Sequence, residues 1–165
     1  MAQIFIGIGS SINRRENIRQ GVLLLKEHFG ELRLSSVFES EAVGFKGATF
    51  YNLVAELNST LSIELVIKKL KMIEVQLGRP EKAIKYAPRT LDLDLLLYDQ
   101  HIDNIRDIPR AEITENAFVL QPLAELAATL LHPILAISYQ ELWSEYPVNK
   151  QKLWKIDNLI FSKNH

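Results

Sequence analysis

Asp92 and Asp94 stand two residues apart inside the apolar run Pro88-Arg89-Thr90-Leu91-Asp92-Leu93-Asp94-Leu95-Leu96-Leu97-Tyr98-Asp99. In a β-strand, residues i and i+2 share a face and lie roughly 6.6 Å apart, so the two carboxylates project side by side. Such a pair suits a hard divalent cation such as Mg²⁺, which takes one or two carboxylates and fills its remaining positions with phosphate oxygens and water. Leu91, Leu93, Leu95 and Leu97 are then expected on the opposite, core face. Arg89 and, upstream, Arg79 add positive charge that could meet the same phosphates. The competing reading is a solvated strand face whose aspartates pair with arginines.

The rest of the chain must position that strand. Ile4, Ile6 and Ile8 alternate with Phe5 and Gly7 in a first strand, broken by Gly9-Ser10-Ser11. Asn13 and Glu16 have the spacing of a capping box, and Ile18, Val22, Leu25 and Phe29 continue as one helical face to Gly30. Leu32 to Phe38 and Tyr51 to Leu57 read as antiparallel strands around the loop Gly44-Phe45-Lys46-Gly47-Ala48. A second helix opens at Ser62, places Ile63, Val66, Ile67, Leu70, Ile73 and Leu77 on one face, and ends at Gly78. The fold class is therefore α+β. The order βαββαβ is that of a ferredoxin-like core: a mostly antiparallel sheet with two helices on one face and the other face left for a site. C-terminal helical additions follow, one from Glu115 to Ala128 that Pro122 bends or interrupts and one from Tyr139 to Tyr146. Leu153, Trp154, Ile156, Leu159, Ile160 and Phe161 argue that the tail docks.

One domain, 1–165, accommodates the whole chain of 165 residues. Lys plus Arg, 19, nearly balances Asp plus Glu, 20, so no global field favours nucleic acid or an anionic membrane. The chain has no cysteine, and its four histidines lack zinc-ligand spacing. No basic and apolar leader is read at the N-terminus, and no run approaches the ~20 apolar residues of a membrane span. A cytoplasmic protein without nucleic-acid or membrane partners is expected. An RNA-binding module on the same fold is disfavoured, because the basic and aromatic strand motifs it needs are missing.

Gly9-Ser10, Phe50-Tyr51-Asn52, Glu74 with Gly78-Arg79, Pro88-Arg89-Thr90-Leu91-Asp92-Leu93-Asp94, and Ala117-Phe118-Val119-Leu120 with Pro122-Leu123-Ala124-Glu125 together resemble the hydroxymethyl-dihydropterin pyrophosphokinase family of folate biosynthesis. The resemblance implies a monomeric enzyme that transfers pyrophosphate from ATP to the hydroxymethyl group of 6-hydroxymethyl-7,8-dihydropterin, leaving AMP. Two Mg²⁺ ions would be held by Asp92 and Asp94, with ATP as co-substrate. Arg79 and Arg89 would be the catalytic arginines. Phe50 and Phe118 would stack on the pterin, Asn52 would read its edge, and Val43 and Gly44 would contribute backbone contacts. Glu74 would lie on the ATP side.

The chain departs from the family pattern at Arg110, which follows Pro109 where a histidine is usual, and at Asn116, where an arginine precedes the Ala-Phe pair. Lys71, Glu81 and the Ser40-Glu41 pair are further departures. As a permanent cation, Arg110 could bind ATP in place of the lost groups. The alternative is a divergent paralogue that binds a pterin-like ring with little or no pyrophosphoryl transfer.

Overall fold

Alternation of Ile4, Ile6 and Ile8 makes Ala2–Ser10 a strand, β1, which pairs with a strand on each side. The structure, a computed structural model, describes residues 1–41, 49–78, 90–147 and 149–156. In it β1, β2 (Arg33–Leu34), β3 (Phe38–Glu41), β4 (Thr49–Ser59), β5 (Asp92–Tyr98) and β6 (Leu153–Lys155) form one sheet. Its order is β5-β1-β4-β3-β6, with β2 beside β4, and every pairing is antiparallel. The β5-β1-β4-β3 part is the ferredoxin-like arrangement expected from βαββαβ.

Helices α1 (Arg14–Phe29) and α2 (Ile63–Gln76) bury Ile18, Val22, Leu25, Val66, Leu70 and Ile73 against one face of the sheet. Ser62 caps α2 by accepting the Leu65 N–H at 3.3 Å. At α1 the expected capping box is not made. Asn13 instead takes a left-handed conformation at φ 40°, its side chain gives no cap, and Glu16 accepts from Gln20 at 2.9 Å. Asparagine tolerates that conformation because its short polar side chain costs little there.

The first arm of the expected hairpin is split into β2 and β3. Ser35 lies between them and its hydroxyl oxygen accepts the Val54 N–H at 2.8 Å, a bond that a continuous ladder would have given to a backbone carbonyl. Helices α3 (Glu112–Glu115), α4 (Ala117–Leu126) and α5 (Tyr139–Glu145) are the C-terminal additions. The helical segment is interrupted at Asn116, which is extended at φ −117° and ψ 124°, whereas Pro122 lies inside α4. Leu120, Leu123, Tyr139, Phe5, Val54 and Leu97 form a second core on the face opposite α1 and α2. Part of the face expected to be left for a site is therefore covered by α4. The described part of the tail docks through β6 on β3, and Trp154 donates from Nε1 to Glu39 Oε1 at 2.8 Å, whereas Leu159, Ile160 and Phe161 lie outside the described residues.

Candidate active site

Cross-strand partners in an antiparallel sheet point to the same face, so register alone assembles a row across all five strands of the main path. Lys155, Phe38, Asn52, Gly9 and Asp92 are successive partners from β6 to β5. The neighbouring row runs Val54, Gly7 and Asp94 on one side and Leu153, Ser40 and Phe50 on the other. Both aspartates, Asn52 and Phe50 thus share one face, the one that carries α4. Tyr51, the residue between, points to the other face, where the Arg14 guanidinium lies 4.0 Å from its ring centre.

The face alternation of β5 holds for Leu91, Leu93 and Leu95, but not for Leu97. Ile6 pairs with Leu95 and Phe5 with Leu97, so Leu96 is an extra residue and the register shifts there. Such a bulge reverses which side chains face the core beyond it, and Leu97 turns to the aspartate face beside Phe5. Asp92 and Asp94 lie before the bulge and keep their common face.

Between Asn52 and Asp92, Gly9 leaves the floor of the site without a side chain. A Cβ there would stand 2.6 Å from Asn52 Oδ1, closer than any carbon can approach. Asn52 is 9% exposed, and its Nδ2 lies 3.5 Å from Ser40 Oγ. Phe118 is in the first turn of α4, half-buried against the second core, and Phe50 is half-buried on β4.

Arg110 brings a cation to this face. Its backbone N–H is fixed to Leu96 O at 3.0 Å, and a guanidinium nitrogen lies 3.4 Å from Asp94 Oδ1 and 3.1 Å from Glu112 Oε1. Burial opposes its charge, but Asp94, Glu112 and Asp107 outweigh burial and hold its pKa above the ordinary arginine value. Asn116 donates from Nδ2 to Glu112 Oε2 at 3.2 Å, so Arg110 and Asn116, two of the departures from the family pattern, are joined through one glutamate. Glu74 is 8% exposed, and its Oε2 accepts the Leu93 N–H at 2.8 Å. It is a buried carboxylate that holds β5, where helix position alone allowed a solvated one.

Arg79, Arg89, Val43 and Gly44 lie outside the described residues. Among the described residues no three histidine, cysteine, aspartate or glutamate side chains form a metal cage. Two carboxylates on one strand face nevertheless fit a cation that completes its shell from a bound triphosphate and water. Glu112 and Gln151, which hold Arg110 and Asn116, were missed by sequence reasoning. Gly9 had a signal, since a glycine inside a strand marks a close approach.

The family model for 7,8-dihydro-6-hydroxymethylpterin-pyrophosphokinase matches residues 5–128. A 2-amino-4-hydroxy-6-hydroxymethyldihydropteridine pyrophosphokinase of Aquifex aeolicus is 30% identical over 138 residues, which span 81% of this chain and 86% of the relative. A protein of the same name from Bacillus subtilis is 35% identical over 130 residues, spanning 74% of this chain and 76% of its own. The solved structure of wild-type HPPK-DHPS from Plasmodium falciparum superposes with a TM-score of 0.69 at 12% identity, and this chain, 88% of which is covered, spans 44% of that longer one. At such identity the likeness concerns the fold. The family match runs from β1 through α4 and includes every strand that carries Asn52, Asp92 or Asp94, so this chain belongs to the 7,8-dihydro-6-hydroxymethylpterin-pyrophosphokinase family.

Proposed function

We propose that this chain catalyses Mg²⁺-dependent transfer of pyrophosphate from ATP to the hydroxymethyl group of 6-hydroxymethyl-7,8-dihydropterin, releasing AMP. The observation that carries the reading is the row Asn52, Gly9 and Asp92, with Asp94 and Arg110 beside it, on one sheet face of a chain that matches this family. The hydroxymethyl oxygen forms a bond to the β-phosphorus, the bond from that phosphorus to the α,β-bridging oxygen breaks, AMP leaves with that oxygen, and the hydroxyl proton passes to water.

Asp92 and Asp94 would hold Mg²⁺, two ions in the full reading, and the metal would supply charge neutralisation to the triphosphate. Arg110, already aimed at Asp94, contributes a fixed positive charge on the ATP side. Glu74 acts on the same side through the start of β5, which it anchors at Leu93. Phe50 and Phe118 sandwich the pterin and Asn52 reads its edge, a flat heteroaromatic ring being best held by aromatic faces and one polar edge. Val43 and Gly44 add backbone contacts. Arg79 and Arg89 stabilise the charge that develops on the transferring group. All these residues come from one chain, so a monomer suffices, and the partners are small molecules. The cytoplasm, where ATP and reduced pterins meet, is the expected location.

The test is formation of AMP from Mg-ATP and the reduced pterin by the purified protein. AMP in equal amount to the pterin pyrophosphate supports the reading; no AMP above the protein-free control overturns it.

A further inference from the structure

The C-terminal segment lies beyond residues 5–128, the part that matches the family, yet one of its side chains is tied into the site. Gln151 donates from Nε2 to Asn116 Oδ1 at 2.9 Å, and its Oε1 accepts the Ala117 N–H at 2.8 Å. Asn116 donates on to Glu112, Glu112 accepts from Arg110 Nε at 3.2 Å, and Arg110 reaches Asp94. A row of five side chains, Gln151, Asn116, Glu112, Arg110 and Asp94, therefore runs from the tail to a metal-site aspartate. Gln151 also satisfies the first N–H of α4, one of the donors a helix cannot pair within itself, in the residue next to Phe118.

Asn116 shows why the chain needs such a link. An asparagine amide is neutral and short, and unless its carbonyl is held it can turn its nitrogen away from Glu112. With Glu112 released, the Arg110 fork loses the partner that fixes its plane. We propose that Gln151 is a positioning residue for nucleotide binding: through Asn116 and Glu112 it holds the Arg110 guanidinium toward the triphosphate. The C-terminal segment thereby supplies an orientation that a site confined to the matched core would lack. The proposal rests on the pyrophosphokinase reading for what Arg110 binds.

The test is a double-mutant cycle on the full chain, in which a non-hydrolysable ATP analogue with Mg²⁺ is titrated into wild type, Gln151→Ala, Arg110→Ala and the double variant. Reduced pterin is titrated in parallel. Loss of Gln151 should weaken the nucleotide by about tenfold, as expected for a lost hydrogen-bond pair acting through a charged group, and should change pterin affinity by less than about twofold. The double variant should bind the nucleotide no more weakly than Arg110→Ala alone. Gln151→Met, which keeps the bulk and removes both bonds, replaces Gln151→Ala if the latter melts early. Additive losses, equal losses for nucleotide and pterin, or an unchanged nucleotide affinity each overturn the proposal. Absence of AMP formation by wild type counts against the pyrophosphokinase reading alone, because the titrations do not depend on turnover.

Discussion

Gly9 and Asn52 are cross-strand partners so close that a methyl group on Gly9 would lie 2.6 Å from the Asn52 amide oxygen. Gly9→Ala must therefore displace Asn52 or push β1 from β4. Overpacking of this kind typically costs about 1–3 kcal/mol. The melting temperature should fall, and the KM for pterin should rise more than the KM for ATP, because Asn52 is the residue displaced. An unchanged pterin KM would place Asn52 outside the pterin subsite.

Asp92→Asn and Asp94→Asn remove charge from one strand face without removing volume. Each is expected to lower turnover by at least about a hundredfold, the usual loss when a preorganised electrostatic group is deleted. Circular dichroism and melting should stay near wild type, since both side chains are partly exposed. Near-normal turnover in both variants would remove the metal role.

Arg79→Ala and Arg89→Ala probe the transition state. If these arginines act on developing charge, turnover should drop by about a hundredfold or more while pterin affinity, measured by titration, changes less than about threefold. A parallel fall in both quantities would mark the arginines as ground-state binders.

His132 makes stability depend on pH. It is 7% exposed, burial pushes its pKa below the ordinary histidine value, and its Nδ1 faces the Ile134 and Leu135 N–H groups, each at 3.2 Å. Only the neutral ring can accept those bonds. The folded pKa is lower than the unfolded one, so the contribution is complete above about pH 6.5 and is lost as pH falls through the folded value. Thermal melts should show a decline below pH 6.5 that is smaller in His132→Asn, whose amide oxygen can accept without titrating. Parallel curves for the two proteins would assign the acid sensitivity elsewhere.

Gly9 and Ser10, expected to break the first strand, continue it by pairing with Asn52 and Tyr51. Local alternation was sufficient to place Asp92 with Asp94 and to separate Phe50 from Tyr51, because each depends on strand period alone. It failed at Leu97, whose face is decided by a bulge set in the pairing with Phe5 and Ile6. Glu74 gave no sign of burial, since the N–H that compensates it belongs to Leu93 on another element. In the helical segment expected from Glu115 to Ala128, Pro122 is the residue with the stronger local reason for a bend or interruption, yet it lies inside α4. The interruption is elsewhere. It falls at Asn116, whose extended backbone is accompanied by bonds to Glu112 and Gln151. Gln151 was invisible for the same cause: its partners are 34 and 35 residues away.

The short strand Leu153–Lys155 has a consequence for solubility. Without it, β3 would present a row of unpaired backbone donors and acceptors, the kind of border along which sheets from separate molecules join. Three residues are enough to occupy that border yet too few to offer a long template in their turn, and two of the three are exposed, one of them the charged Lys155. The segment that steadies Arg110 thus also guards the sheet against self-association, and shortening the chain before Gln151 would expose the protein to aggregation as well as to loss of nucleotide affinity.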